Sequence, residues 1–244
     1  MDAAQTPWDK DFSRLTREAD AGDASARAQL DVLAQCDLRT LAQPPTKERI
    51  HAQSAIFACK GFAPPAICDW LVARALPRLH PSVVHNSRTG EMGADPRRTA
   101  MNCGVERDLI TAIMQQRAAW LTGAPVSHYE PPNVISYEPG QRFDYHHDYI
   151  DPSQPGSADE LAALGQRVVT IVTYLNTEFD GAATDFPRLG FSFRGEKGDA
   201  IMFANVLPSG APDINTLHAG LPPAAGRKWV LSQWIRARPL PARA

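Results

Sequence analysis

No stretch of this 244-residue chain holds the roughly 20 consecutive apolar residues that a membrane-spanning helix needs. The opening MDAAQTPWDKDFSR also lacks the basic-then-apolar layout of a secretory leader. Both absences set the expectation of a cytoplasmic protein with no membrane partner. A basic surplus is missing too. The chain has 25 Lys and Arg against 27 Asp and Glu, a net charge of −2, with no basic block at either end, so nucleic acid is not an expected partner. The four cysteines, Cys36, Cys59, Cys68 and Cys103, form no CxxC pair and have no histidine nearby at zinc-finger spacing. They read as reduced, mostly buried thiols, and a chain of this length closes a core without disulfides.

What is present is an ordinary globular composition, 43% hydrophobic and 21% charged. The length suits one substantial domain with a short appendage. From Phe12 to about Ala34 apolar residues recur at helical spacing, with AGDA as a turn between two helices, and QPPTKER from Gln43 reads as a linker. Residues 1–50 are therefore expected to form a helical N-terminal appendage and linker, resembling a single unit of a helical repeat. Residues 51–244 form the main domain. It opens with a strand in AIFACKGF, then a helix whose start is set by Pro64 and Pro65, and a second helix over Arg107 to Leu121.

After Asn133 the texture changes to short β-rich segments punctuated by Gly, Pro and Asp: NVISYEPG, FDYHHDYI, RVVTIVTYLN, FSFRG, DAIMFANV and KWVLSQWIRA. That pattern predicts a sandwich or small barrel over about 133–238 rather than alternating βαβ units. One polar, proline-bearing interruption, DPSQPGSADELAALGQ, predicts a loop or lid with a short helix.

Within FDYHHDYI, a strand would turn His146 and Asp148 to one face and His147 to the other. One histidine and one carboxylate on a common face need a third ligand to complete the facial triad that leaves positions open on iron(II), and His218 in NTLHAGLPP is the best candidate. An HxD alone is also compatible with a histidine that merely hydrogen-bonds or faces solvent. Downstream, Lys228, Val230, Ser232 and Trp234 share a strand face. A turn at PPAAG would run that strand antiparallel to the His218 segment and bring an ammonium toward the metal, where an anion would offset its burial. The plainer reading is an edge lysine with its head in water.

These ordered blocks together resemble the prolyl 4-hydroxylase branch of the 2-oxoglutarate- and iron(II)-dependent oxygenases. The resemblance runs from about Phe57 to Arg236: FACKGFAPPAICDWLV, RTAMNCGV, Tyr137 through HHD, RVVTIVTYLN, DGAATDFP, KGDAIMF, and HAGLPP with GRKWVLSQWIR. It implies an α+β fold with a mainly β core, a double-stranded β-helix of jelly-roll kind with supporting N-terminal helices. It further implies His146, Asp148 and His218 as iron ligands and Lys228 as the anchor of the distal 2-oxoglutarate carboxylate. Tyr137, Thr184 and Trp234 would line the cosubstrate pocket, and Arg167 would contact substrate. Fe(II), 2-oxoglutarate and O2 are the implied cofactor and cosubstrates, with ascorbate as a further candidate.

Two departures concern the prime substrate. Phe143 stands where the family commonly has tyrosine, and Gly181, Ala182 and Ala183 replace the usual double glycine. The implied reaction is hydroxylation of an aliphatic C–H with release of succinate and CO2, most naturally on a prolyl residue of a peptide or protein. The carboxylate of Asp148 occupies the position a halide would need, which favours hydroxylation over halogenation. Alternatives are hydroxylation of a free amino acid or small metabolite, and an inactive barrel that serves as a binding module. A zinc hydrolase on the same ligands lacks a convincing general base.

Overall fold

The computed structural model describes residues 6–85 and 91–241. The first five residues of the opening stretch and the last three of the main domain lie outside them. Three helices come first: α1 (Asp9–Asp20), α2 (Ala24–Leu33) and the short α3 (Leu38–Leu41). The expected AGDA turn separates α1 from α2, with Gly22 at φ 98° and the Asp23 carboxylate accepting from the Ala26 N–H as the cap of α2. Helix α3 was not foreseen. Asp37 starts it by accepting from the N–H groups of Arg39 and Thr40.

Helices α4 (Pro65–Ala75) and α5 (Leu109–Thr122) fall where the sequence places them. Proline opens the first, where its missing N–H is harmless. Asp108 caps the second at 2.7 Å from the Thr111 N–H, and Gly123 ends it in the left-handed region. Helix α6 (Ser157–Leu164) forms inside the polar interruption.

The strands make an eight-stranded antiparallel sheet in the order Glu48–Arg49, Ile56–Cys59, Ala200–Ala204, Arg167–Tyr174, Lys228–Arg236, Asn133–Tyr137, Met101–Gly104, His80–Pro81. A four-stranded antiparallel sheet runs Phe191–Phe193, Thr184–Phe186, His218–Gly220, Phe143–His146. Side chains of both sheets meet in two apolar clusters, one holding Tyr137, Tyr174, Val230 and Phe143, the other Ile56, Ile201, Phe203 and Phe186. This is the double-stranded β-helix.

On the outer face of the large sheet, α4 and α5 pack through Ile67, Leu71, Ile110 and Ile113 against Ile171 and Leu231. The same core takes in Leu15, Leu33 and Leu41 of the N-terminal helices. Two polar contacts lock that packing. The Gln29 side chain of α2 accepts from the Leu109 N–H that opens α5, and the buried Arg117 of α5 donates to the carbonyls of Thr40, Leu41, Gln43 and Phe62. Among the described residues no helix is long and apolar enough to cross a membrane.

Three local expectations are corrected. The stretch read as a linker contains a two-residue strand, Glu48–Arg49, paired with Ala58 and Phe57. The strand carrying the first histidine ends at His146, so alternation does not extend to Asp148. The Lys228 strand does not form a hairpin with the His218 strand: it pairs with Asn133–Tyr137 and Arg167–Tyr174 in the large sheet, while the turn region Pro223–Gly226 pairs with Phe179–Gly181. The two segments therefore lie in opposite sheets, and the chain must cross the barrel between them.

Candidate active site

His146 and His218 are direct cross-strand partners in the four-stranded sheet. That register sets their ring centroids 4.3 Å apart. Asp148, two residues past the strand end, reaches the same point through a bend, with Oδ1 3.6 Å from His146 Nε2 and Oδ2 3.7 Å from His218 Nε2. The three ligand atoms all lie within 4.8 Å of one another.

The second nitrogen of each ring is committed. Nδ1 of His146 lies 2.8 Å from the Asp144 carbonyl, and Nδ1 of His218 lies 3.0 Å from the Thr216 carbonyl. A carbonyl can only accept, so Nδ1 carries a hydrogen in each ring, which leaves Nε2 as the nitrogen able to ligate. Burial, together with His146, lowers the His218 pKa to about 4, which keeps that ring neutral. Burial alone would raise the Asp148 carboxyl, but His218, His146 and Arg167 outweigh it and hold the group well below the usual carboxylate range.

On the large sheet, Lys228 is 1% exposed and directly opposite Tyr137. Its Nζ donates to the Ala182 carbonyl at 2.6 Å and lies 5.3 Å and 5.0 Å from the ring centres of Tyr137 and Tyr174. No carboxylate among the described residues pairs with it, and burial, with Arg194 adding to it, lowers its pKa to about 7. The expected shared face is real: Lys228, Val230, Ser232 and Trp234 line one small cavity with Thr184 and the three ligands. Gly220 opposite Thr184 is needed there. A Cβ at that position would come within 2.9 Å of the Tyr137 hydroxyl.

Residues 132–236 match the family model described as the 2OG-Fe(II) oxygenase superfamily. The chain belongs to that superfamily. Among its curated relatives, Prolyl 4-hydroxylase 13 of Arabidopsis thaliana is 28% identical over 198 residues, covering 74% of this chain and 70% of the plant protein. Prolyl 4-hydroxylase subunit alpha-1 of Gallus gallus is 34% identical over 167 residues, 67% of this chain, which spans only 32% of that subunit. The fold matches the viral collagen prolyl hydroxylase of Paramecium Bursaria Chlorella virus-1, in complex with 2OG, at TM-score 0.58 and 24% identity over 78% of this chain and 99% of the viral one.

For a 2OG-Fe(II) oxygenase the donor set fits. Two imidazole nitrogens and one carboxylate, with no thiolate, suit Fe(II) and leave positions for 2-oxoglutarate and O2. The uncompensated ammonium at Lys228 suits the far carboxylate of the diacid.

On the outer side of the oxygenase triad a groove of about 740 Å³ opens to the surface, and it shares Phe143, His146, Asp148 and Trp234 with the inner cavity. Trp234 is thus a partition between the two. Its Nε1–H is buried without a partner among the described residues, and the Arg167 guanidinium lies 4.4 Å over its ring. Arg167 faces the groove but is engaged by Glu130 through two hydrogen bonds of 2.7 and 2.9 Å. Phe143, the residue in the tyrosine position, stacks on His146 with centroids 3.5 Å apart. His147 sits half-buried at the groove, where burial and Arg188 lower its pKa.

The structure brings together the three candidate ligands and Lys228 that the sequence singled out, and adds residues around them that it did not. Tyr174 packs beside Lys228 and accepts from the Thr184 N–H at 3.1 Å. Glu130, Arg236 and Glu160 form a buried ionic chain, with Arg236 donating to Glu130 at 2.5 Å and Glu160 at 2.6 Å. That chain fastens α6 to the barrel, so the expected lid is a pinned wall of the groove. The charged residues of the chain are 30 to 106 positions apart, and no local pattern pairs them.

Proposed function

We propose that this oxygenase hydroxylates a prolyl residue within a peptide or protein, coupled to oxidative decarboxylation of 2-oxoglutarate to succinate and CO2. The observation that carries the reading is the pair of compartments meeting at the triad: a small inner cavity that reaches the buried Lys228 ammonium, and a much larger outer groove of about 740 Å³. In this reading His146, Asp148 and His218 hold Fe(II), which supplies the oxygen chemistry. Lys228 takes the distal carboxylate, while Tyr137, Thr184 and Trp234 shape the cosubstrate cavity and exclude water. Arg167, oriented by Glu130, contacts the substrate main chain at the groove. Ascorbate enters as an external reductant that sustains repeated turnover.

The curated relatives named above are prolyl 4-hydroxylases, which supports the prolyl substrate. The test is decarboxylation measured alongside mass spectrometry of a proline-rich peptide library and of free amino acids. A gain of 16 mass units, roughly one oxygen atom, on peptidyl proline is expected. Oxygen gained only by free amino acids or other small metabolites would overturn the peptide reading and favour the alternative that Phe143 suggests, since the missing hydroxyl alters the wall beside His146. Fe(II) and 2-oxoglutarate that give no visible charge-transfer band anaerobically, and no succinate once O2 is admitted, would point to a binding module.

A further inference from the structure

Asp148 lies outside any strand, so backbone pairing does not fix its carboxylate. A buried polar chain from the opposite sheet does. Thr170, on strand Arg167–Tyr174, donates its hydroxyl hydrogen to Asp148 Oδ2 at 2.7 Å. Asn205, just beyond strand Ala200–Ala204, donates from Nδ2 to Thr170 Oγ1 at 3.0 Å. Both residues are 1% exposed. The polarity of the chain is determined: the threonine hydroxyl has one hydrogen, the asparagine amide occupies its acceptor side, and a carboxylate can only accept. Oδ2 is thereby engaged, and Oδ1 keeps its lone pairs free on the side of His146.

Asn205 also holds the route to another ligand. Its N–H donates to the Val168 carbonyl at 2.9 Å, and its carbonyl accepts from the Asp213 N–H at 3.0 Å. The Asp213 carbonyl in turn accepts from the Thr216 hydroxyl at 2.8 Å, and the Thr216 carbonyl accepts from His218 Nδ1 at 3.0 Å. Two of the three ligands are therefore traced to one residue, Asp148 through its side chain and His218 through its backbone. The Asn205 Oδ1 atom is buried without a hydrogen-bond partner among the described residues. An unpaired buried acceptor costs stability. An apolar side chain would fill a purely structural position without that cost.

We propose that Thr170 and Asn205 are positioning residues of the metal centre: they orient Asp148 so that it ligates through Oδ1 alone and leaves the cavity side free for the cosubstrate. The inference rests on the metal reading above. It places the determinant of carboxylate geometry on one strand, and at the end of another, that carry none of the ligands.

The test uses the full chain and Co(II) as a spectroscopic probe, titrated anaerobically into the wild type, Thr170→Val, Thr170→Ser and Asn205→Ala, with thermal unfolding of each metal-free protein. Loss of an outer partner of a ligand weakens metal binding by about 10- to 100-fold. That loss is expected for Thr170→Val, with a shift of the visible Co(II) bands as the freed carboxylate rebinds through both oxygens. Thr170→Ser, which keeps the hydroxyl, should stay within about threefold of the wild type, and Asn205→Ala should fall between the two. Thr170→Val with wild-type affinity and bands, or Thr170→Ser as impaired as Thr170→Val, overturns the proposal. Should Thr170→Val fail to fold, Asn205→Ala decides, and wild-type affinity and spectrum in that variant would overturn it. A wild type that binds no Co(II), or binds it equally after His146→Ala, fails differently, because it removes the metal reading itself.

Discussion

The Lys228 ammonium is buried without a carboxylate partner among the described residues, and its pKa is brought down from 10.5 to about 7. At pH 8 about 90% of the molecules then hold a neutral amine, and at pH 6 about 10% do. A diacid that places a carboxylate against Lys228 favours the charged form. Binding of 2-oxoglutarate should therefore take up about 0.9 proton at pH 8 and about 0.1 at pH 6, and its affinity should fall roughly 100-fold between pH 6 and pH 9.

The pH dependence of stability has the opposite sign. The unfolded amine stays protonated up to pH 10.5 while the folded one loses its proton near 7, so the unfolded state binds more protons across that window. Stability of the metal-free protein gains from this group as pH rises from about 7 to about 10.5. Calorimetric titration of 2-oxoglutarate, with Mn(II) at the metal site, in two buffers of different ionisation enthalpy measures the uptake directly. Lys228→Arg is the control, because guanidinium stays charged throughout and should bind without uptake and without a pH slope. Uptake below about 0.3 proton at pH 8, or equal uptake in Lys228→Arg, would refute the assignment of this ammonium as the carboxylate anchor.

Three further outcomes are expected. His146→Ala should abolish succinate formation, whereas His147→Ala should retain measurable iron-dependent turnover, because His147 stands beside Arg188 at the groove and is absent from the ligand cluster. Arg117→Met should lower stability by about 3 kcal/mol, roughly 10 °C in Tm, since four carbonyls lose their donor in the core joining α5 to the N-terminal segment. Thermal or urea unfolding reads it. Glu160→Gln should loosen α6 from Arg236 and raise the KM for a peptide substrate several-fold, leaving the Kd for 2-oxoglutarate unchanged, as a steady-state and titration pair would detect.

The longer helices and the longer barrel strands were legible because each is written in consecutive residues: the prolines before α4, the apolar spacing along α5, the β-branched run in RVVTIVTYLN. Short pairings were not. Glu48–Arg49 is a strand only because Phe57 and Ala58 lie beside it, and two residues carry no periodicity of their own. The position of Lys228 was reached by an incorrect route. The hairpin with the His218 strand does not exist, yet the ammonium faces the ligands because the two sheets close on one another and inward faces meet.

Asp148 shows the same separation of outcome from premise. Alternation along a strand would put it beside His146, but the strand has ended and the chain bends there. What holds the carboxylate inward is electrostatic and polar: the Thr170 hydroxyl at its Oδ2, and Arg167 nearby. These partners lie 22 and 19 residues away, and neither belongs to the HHD run. A histidine and an aspartate at that spacing can name a candidate site, but its geometry is decided by residues such as Thr170 and Asn205, which carry no metal-binding signature. A search for the ligand motif alone would therefore pass over the positions where carboxylate binding mode, and with it the room left for 2-oxoglutarate and O2, is set.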